Sequence, residues 1–342
     1  MRILKAAICY GLKDIRIENI KLKDLEPDDV LIKIAYCGVC PSDVRVYEGL
    51  SSMELPAILG HEYTGWIEKV GENVHDIKVG TRVAVDPGQK CYTRCEPCKR
   101  GYTNKCKNMS NAYDGFAEYH VTRRMNVYPL KDETSMLAAA LSEPLACVVH
   151  GQKQAKIKPG SVVVVIGTGP IGLLHIQTSK YLGAKVIASD VIEQRLKVAK
   201  EIGADVIVNS SKDNLSEIVA QETDGWGADA VIIAVGRPEI VEQGVKLLGI
   251  GGNLVIFAGI YPDTSVGISP NLIHYEEINI TGSSDYTDQD FIEALRLIEE
   301  GHIDIEKLVT NIYPLEEVAQ AMEYVRTNKG LKVVIDIGAN EN

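Results

Sequence analysis

The chain has 342 residues, which at about 150 residues per domain predicts two domains or one large one. Hydrophobic residues make up 45% and charged residues 24%, which excludes wholesale disorder, and glycines and prolines without a fixed period exclude a collagen-like scaffold. Acidic residues outnumber basic ones 47 to 36 for a net charge of −11, and no Lys/Arg cluster supplies the footprint of a nucleic-acid binder.

The opening Met-Arg-Ile-Leu-Lys lacks the apolar stretch of a signal peptide, and no run of about 18 apolar residues follows. The expectation is a soluble, cytoplasmic protein with no membrane partner. In chain order, the first 145 or so residues read as short strands, such as 30–35, 64–70 and 82–85, separated by Gly, Pro and Asp. Residues 136–151 read as one helix. From Ser161 onward strands and helices alternate: strand 162–166, helix 172–182, strand 185–189, helix 193–202, strand 206–208, helix 215–222, then strands 230–234 and 253–258. That βαβ rhythm, opening on a continuous apolar run, predicts a doubly wound parallel sheet covered on both faces. The tail gives a helix at 291–300, a strand at 309–313, a helix at 315–326 and a final strand at 332–336. The final strand is expected to return to the first domain, making the parallel domain an insertion: 1–148 and 287–342 outside, 149–286 inside.

Gly167-Thr-Gly169-Pro170-Ile171-Gly172 lies between a predicted strand and helix. Three glycines serve a tight turn, close approach to a pyrophosphate and close helix–strand contact, and the helix N-terminus offers free N–H groups to phosphates. Asp190 ends the next strand, where a carboxylate accepts from a ribose 2′-hydroxyl and repels a 2′-phosphate. The competing reading of Asp190 is a helix cap. The apolar Val191 and Ile192 that follow offer no arginine to a 2′-phosphate, so NAD is expected before NADP.

Eight cysteines occur in the chain, four of them within sixteen residues: Cys91, Cys95, Cys98 and Cys106. Four thiolates fill a tetrahedral zinc at about 2.3 Å each and leave no open position, so this set predicts a structural zinc. Neither the bacterial nor the plant iron–sulfur spacing matches. Cys40, His61, Glu62 and Glu143 form a second candidate set, since a catalytic zinc takes three protein ligands and keeps one position open. Spacing alone leaves three readings level: that metal site, a satisfied core histidine at 61, or a redox pair of Cys37 and Cys40.

Together these motifs resemble the zinc-dependent medium-chain dehydrogenase/reductase family over nearly the whole chain. The resemblance is carried by Gly38-Val39-Cys40-Pro41-Ser42-Asp43, Gly60-His61-Glu62, the cysteine loop, Gly115 to Tyr119, Glu143-Pro144-Leu145 and Gly167 to Gly172. It implies an α/β fold in which a GroES-like β-barrel catalytic domain is interrupted by a doubly wound Rossmann domain. Glu143-Pro-Leu is similar to the polyol (sorbitol, iditol) branch and its threonine dehydrogenase relatives. By position, the resemblance implies Cys40 and His61 as ligands of a catalytic zinc, completed by Glu62 or Glu143. It also implies Ser42 as the hydroxyl passing the alcohol proton to solvent, Asp43 as the carboxylate orienting His61, and Asp190 with Arg195 at the adenosine ribose. Cys37 then fills the first strand, and Cys9 and Cys147 are core thiols. The implied reaction is reversible oxidation of a secondary alcohol, a polyol or cyclitol before L-threonine or another amino alcohol, by a homotetramer. A rival reading is a non-catalytic NAD-binding protein with structural zinc only. Two departures stand out: Cys91-x3-Cys95 is one residue longer than the family's usual spacing, and Asp285 stands where sorbitol dehydrogenases carry an arginine.

Overall fold

The computed structural model describes residues 3–111, 113–327 and 329–338. Met1, Arg2 and residues 339–342, at the ends of the outer predicted segments, lie outside the described residues. Two compact units emerge. The first gathers Met1–Pro144, Ala294–Gly301 and Ile305–Asn342, and the second Leu145–Glu293 with His302–Asp304.

The first unit is built on a seven-stranded sheet. Its strands run in the order Val127–Pro129, Arg82–Val85, Glu62–Val70, Asp29–Val39, Lys332–Asp336 and Val309–Pro314, with Tyr119–Arg123 also pairing Asp29–Val39. A smaller sheet of Asp14–Lys21, Ile3–Gly11 and Ala57–Ile58 completes the barrel architecture. Asp29–Val39 is central: it bonds Glu62–Val70 along one edge and, in succession along the other, Tyr119–Arg123 and Lys332–Asp336, and nearly all of it is buried. Between the sheets lies a core that includes Ile32, Ile34, Cys37, Tyr63, Phe116, Val318 and Met322. Cys37 therefore sits in the third strand of the chain, not the first, as a buried thiol in the same core as Cys9.

The second unit carries a six-stranded parallel sheet in the order Val206–Asn209, Lys185–Asp190, Val162–Ile166, Ala228–Ile233, Leu248–Ile256 and Asn279–Gly282. The run Val163, Val164 and Val165 is wholly buried, because helices cover both faces of a parallel sheet. The order reverses beside Val162–Ile166, which is where such sheets open a crevice at their carboxyl ends.

One predicted element is corrected. Residues 136–151 do not form one helix: Met136–Ala140 ends at Leu141, and Ser142–Ala155 starts afresh. Pro144 gives the reason, since it has no N–H for the Ala140 carbonyl and its ring would strike that carbonyl in a continuous helix. In the first turn of a new helix neither problem arises. Ser135 caps the first piece by accepting from Ala138 N, and Ser142 Oγ donates to the Ala139 carbonyl at the junction. Among the described residues, no helix is long and apolar enough to cross a membrane.

Candidate metal centres and dinucleotide site

Cys40 ends the central strand and begins the short helix Pro41–Tyr47, with Pro41 at its first position. Asp43, in the first turn of that helix, folds back: Oδ2 accepts from Cys40 N at 2.9 Å and Oδ1 from Gly60 N at 3.2 Å. The same carboxylate thus fixes the two backbone points from which Cys40 and His61 project. His61 and Glu62 lead into the neighbouring strand, and the ligand atoms of Cys40, His61 and Glu62 fall within 4.8 Å of one another. Glu143, in the first turn of Ser142–Ala155, is half-buried and lies outside that set of three. Ser42 is exposed on the first turn of the Pro41–Tyr47 helix.

The electrostatics of this trio favour positive charge. His61 is buried, which by itself depresses an imidazole, yet Asp43 and the Cys40 sulfur outweigh burial and hold it well above its ordinary range. Asp43 Oδ1 is 3.3 Å from His61 Nδ1, off the hydrogen-bond direction. His61 Nδ1 and Glu62 Oε2 are both buried without a hydrogen-bond partner. Tyr113 packs edge-on against the His61 ring, centroids 5.1 Å apart. The Glu62 carboxylate also meets a buried cation, Lys332, whose Nζ is 2.7 Å from Oε1 and 2.5 Å from Oε2. Burial works against the charged ammonium, but Glu62, Cys40 and Glu143 raise its pKa nonetheless.

The cysteine loop hangs from a two-stranded ladder in which Gln89 pairs with Ser110. At its root the buried Lys90 Nζ meets Asp86 Oδ2 at 3.0 Å, and Asn126 Nδ2 donates to the Asp86 carbonyl. Cys91, Cys95, Cys98 and Cys106 bring their sulfurs within 4.8 Å of one another, with Cys91–Cys98 and Cys95–Cys106 both at 3.8 Å. The extra residue between Cys91 and Cys95 is absorbed by a tight turn: Thr93 N donates to the Cys91 carbonyl at 2.6 Å and Tyr92 adopts φ +53°. Backbone N–H groups of Cys91 and Lys107 donate to the sulfurs of Cys106 and Cys95. Against burial, hydrogen bonds from its neighbours lower Cys91 to about 6, while burial and the adjoining sulfurs push Cys98 up to about 12. Four sulfurs so close cannot all ionise without a cation among them.

In the second unit Gly169 caps the helix Pro170–Tyr181, which follows directly on Val162–Ile166. Gly172 has to be glycine, because a Cβ there would sit 1.8 Å from the Gly167 carbonyl oxygen. Pro170 and Ile171, in the first turn, are half-buried. Asp190 does more than end a strand. Its Oδ2 accepts from Thr168 N at 2.7 Å and Thr168 Oγ1 at 2.9 Å, and its Oδ1 from Val191 N at 2.7 Å and Ile192 N at 3.0 Å. Asp190 thus ties the glycine loop to the turn before the next helix, whose cap position is held by Ile192. Arg195 Nη1 lies 4.0 Å from where a Gly169 Cβ would be, so its guanidinium flanks the loop. Asp285 is exposed, in a left-handed conformation at φ +55°.

Residues 26–132 match the model of the alcohol dehydrogenase GroES-like domain, and residues 170–300 that of zinc-binding dehydrogenase. D-xylulose reductase A of Aspergillus oryzae is 36% identical over 350 residues, covering 96% of this chain and 95% of its own. The chain belongs to the zinc-dependent medium-chain dehydrogenase/reductase family. D-arabitol-phosphate dehydrogenase of Enterococcus avium is 34% identical over 331 residues, 94% of each chain. A solved zinc-binding dehydrogenase from Sinorhizobium meliloti 1021, bound to NADP, superposes with a TM-score of 0.93 at 30% identity, over 98% of this chain and 100% of that one.

This dehydrogenase is an α/β oxidoreductase with a GroES-like barrel interrupted by a Rossmann domain, as the motifs implied. Its donor atoms suit the family's metal. The trio offers a sulfur, an imidazole and a carboxylate, buried or half-buried and close enough to share one divalent cation, a donor set that suits zinc. The cysteine quartet offers four sulfurs and no open position. Sequence reasoning missed Lys332, although a lysine opening an otherwise apolar, buried strand is itself a signal of a buried counter-charge.

Proposed function

We propose that this protein is a zinc- and NAD-linked polyol dehydrogenase that oxidises a secondary hydroxyl. The single observation that supports the reading most is the Cys40–His61–Glu62 trio, backed by Asp43, in a chain whose relatives include enzymes named for D-xylulose and D-arabitol phosphate. Zinc bound there supplies Lewis acidity to the alcohol oxygen, and the nicotinamide supplies a hydride acceptor.

The chain's own residues do the rest. Cys40, His61 and Glu62 hold the ion, and Asp43 fixes the backbone that presents two of them. Glu143 stands outside the trio as an alternate carboxylate. Ser42 relays the hydroxyl proton outward. Ser42 is exposed on the first turn of its helix, so it can hand the proton to water. Cys91, Cys95, Cys98 and Cys106 hold a structural zinc. Gly167, Gly169, Pro170, Ile171 and Gly172 cradle the pyrophosphate, and Asp190 with Arg195 faces the adenosine ribose; the carboxylate favours NAD over NADP. The exposed edge strand Asn279–Gly282 supports self-association through the sheet, read by size-exclusion chromatography.

A panel of polyols, polyol phosphates and L-threonine, followed by NADH absorbance beside a zinc count, tests the proposal. Two zinc ions per chain and turnover of a polyol are expected. One zinc ion and no turnover of any alcohol would reduce the protein to a dinucleotide binder.

A further inference from the structure

Lys332 is 7% exposed and Glu62 1%, so neither charge can turn to water. The ammonium donates to Glu62 Oε1 at 2.7 Å and to the Val39 carbonyl at 3.0 Å, and stands 2.5 Å from Glu62 Oε2 in the same ion pair. Val39 directly precedes Cys40. One cation, delivered by a strand 270 residues away from Glu62, thus grips both a candidate ligand and the backbone leading into another.

We propose that Lys332 is a positioning residue that competes with the bound metal for the Glu62 carboxylate, keeping Glu62 a weak and exchangeable ligand. This rests on reading Cys40, His61 and Glu62 as a cation site. A carboxylate released by a metal inside a buried site becomes an uncompensated anion, which is strongly destabilising. Lys332 removes that penalty, because the carboxylate is already paired and can loosen from the ion without being stranded. The ion then keeps one position for a hydroxyl, as a catalytic rather than a structural site requires. The positive charge of Lys332 also opposes that of the incoming ion, so it weakens binding.

The variant Lys332→Met removes the charge at similar length. Chelator competition for the second zinc equivalent gives the affinity, and the absorption of cobalt substituted at Cys40 reports the donor set. Tighter binding by about tenfold is expected from the relieved competition and like-charge repulsion, with a lower melting temperature for the metal-free protein and little change for the metal-loaded one. Lys332→Arg should stay near wild type, and in a Glu62→Gln background Lys332→Met should tighten binding clearly less than it does in the wild type, because only the direct repulsion of the ion is then relieved. Should Lys332→Met fail to fold, Lys332→Gln, which keeps a donor without the charge, carries the same expectation. Unchanged or weaker binding, with equal loss of melting temperature in both forms, overturns the proposal and leaves Lys332 a structural strut. Failure of the wild-type protein to take up a second ion would instead defeat the metal-site reading itself.

Discussion

Gly38 and Glu62 occupy one volume: a Cβ on Gly38 would lie 2.1 Å from Glu62 Oε2 and 2.9 Å from Leu141 Cδ2. The carboxylate lies where any other residue would carry its side chain. Gly38→Ala is therefore expected to drive Glu62 off Lys332 and out of the trio, costing about 1–3 kcal/mol as an overpacked core. Zinc stoichiometry should fall from two to one and turnover by about a hundredfold. A Gly38→Ala variant that keeps two zinc ions and full activity would show that the carboxylate is not held by this fit.

Tyr92 bears the extra residue of the cysteine loop at φ +53°, a conformation that β-branched side chains tolerate badly. Tyr92→Ile should destabilise the zinc-loaded loop by about 1–2 kcal/mol and hasten zinc loss to a chelator. Tyr92→Gly should hold the metal about as well as the wild type. Equal zinc release from all three proteins would mean that the turn carries no strain.

Asp190 accepts four hydrogen bonds within its own unit, so its removal reaches beyond cofactor preference. Asp190→Ala is expected to lower the melting temperature of the cofactor-free protein, corresponding to about 1–3 kcal/mol for a half-buried carboxylate that accepts four hydrogen bonds. It should weaken NAD and NADP together while narrowing the ratio between them. A cofactor-free melting temperature equal to wild type, with only the ratio moved, would argue that the ribose and not the loop is its main partner.

His175 predicts an acid-sensitive second unit. Its ring is wholly buried, accepts from Gln152 Nε2 at 3.0 Å, and stands edge-on to Phe257; burial pushes its pKa down to about 3. The unfolded chain, with a value near 6.5, binds the extra proton first. Stability is therefore full above about pH 6.5 and declines as pH falls toward 3, by a few kcal/mol in all. Asp290 acts lower: burial alone would raise it, but bonds from His150, Lys153 and Thr287 depress it, so its contribution is lost only below about pH 4. Melting curves between pH 7 and 4.5 thus read the buried histidines, since burial lowers His120 as well, and His175→Asn should flatten part of that slope. A slope as steep as that of the wild type would assign the acid sensitivity elsewhere.

The parts legible in the sequence were those whose chemistry is written locally. The cysteine quartet falls within sixteen residues, Gly167 to Gly172 sits in one strand–helix turn, and the valine run from Val162 announces a doubly covered strand. Cys40 and His61 were legible as residue types, but only folding brings their ligand atoms within 4.8 Å. Lys332 was invisible as Glu62's partner, since no local pattern links residues 270 positions apart. The break at Leu141 was written in Pro144, yet the alanine-rich periodicity around it reads as one helix. The helix Pro238–Lys246 and the edge strand Asn279–Gly282 were not predicted; the strand is mostly exposed and so lacks a buried apolar pattern.

The antiparallel ladder between Lys332–Asp336 and Asp29–Val39 governs the timing of biosynthesis. A nascent chain that has emerged through residue 293 holds every strand of the parallel sheet, while the barrel still lacks an inner rib. The unit with the parallel sheet can thus mature first, whereas the strand leading to Cys40 keeps its Tyr36–Val39 end unpaired on one edge until residues 332–336 emerge. The proposed ion site at Cys40, His61 and Glu62 would accordingly gain its Lys332 contact last of all.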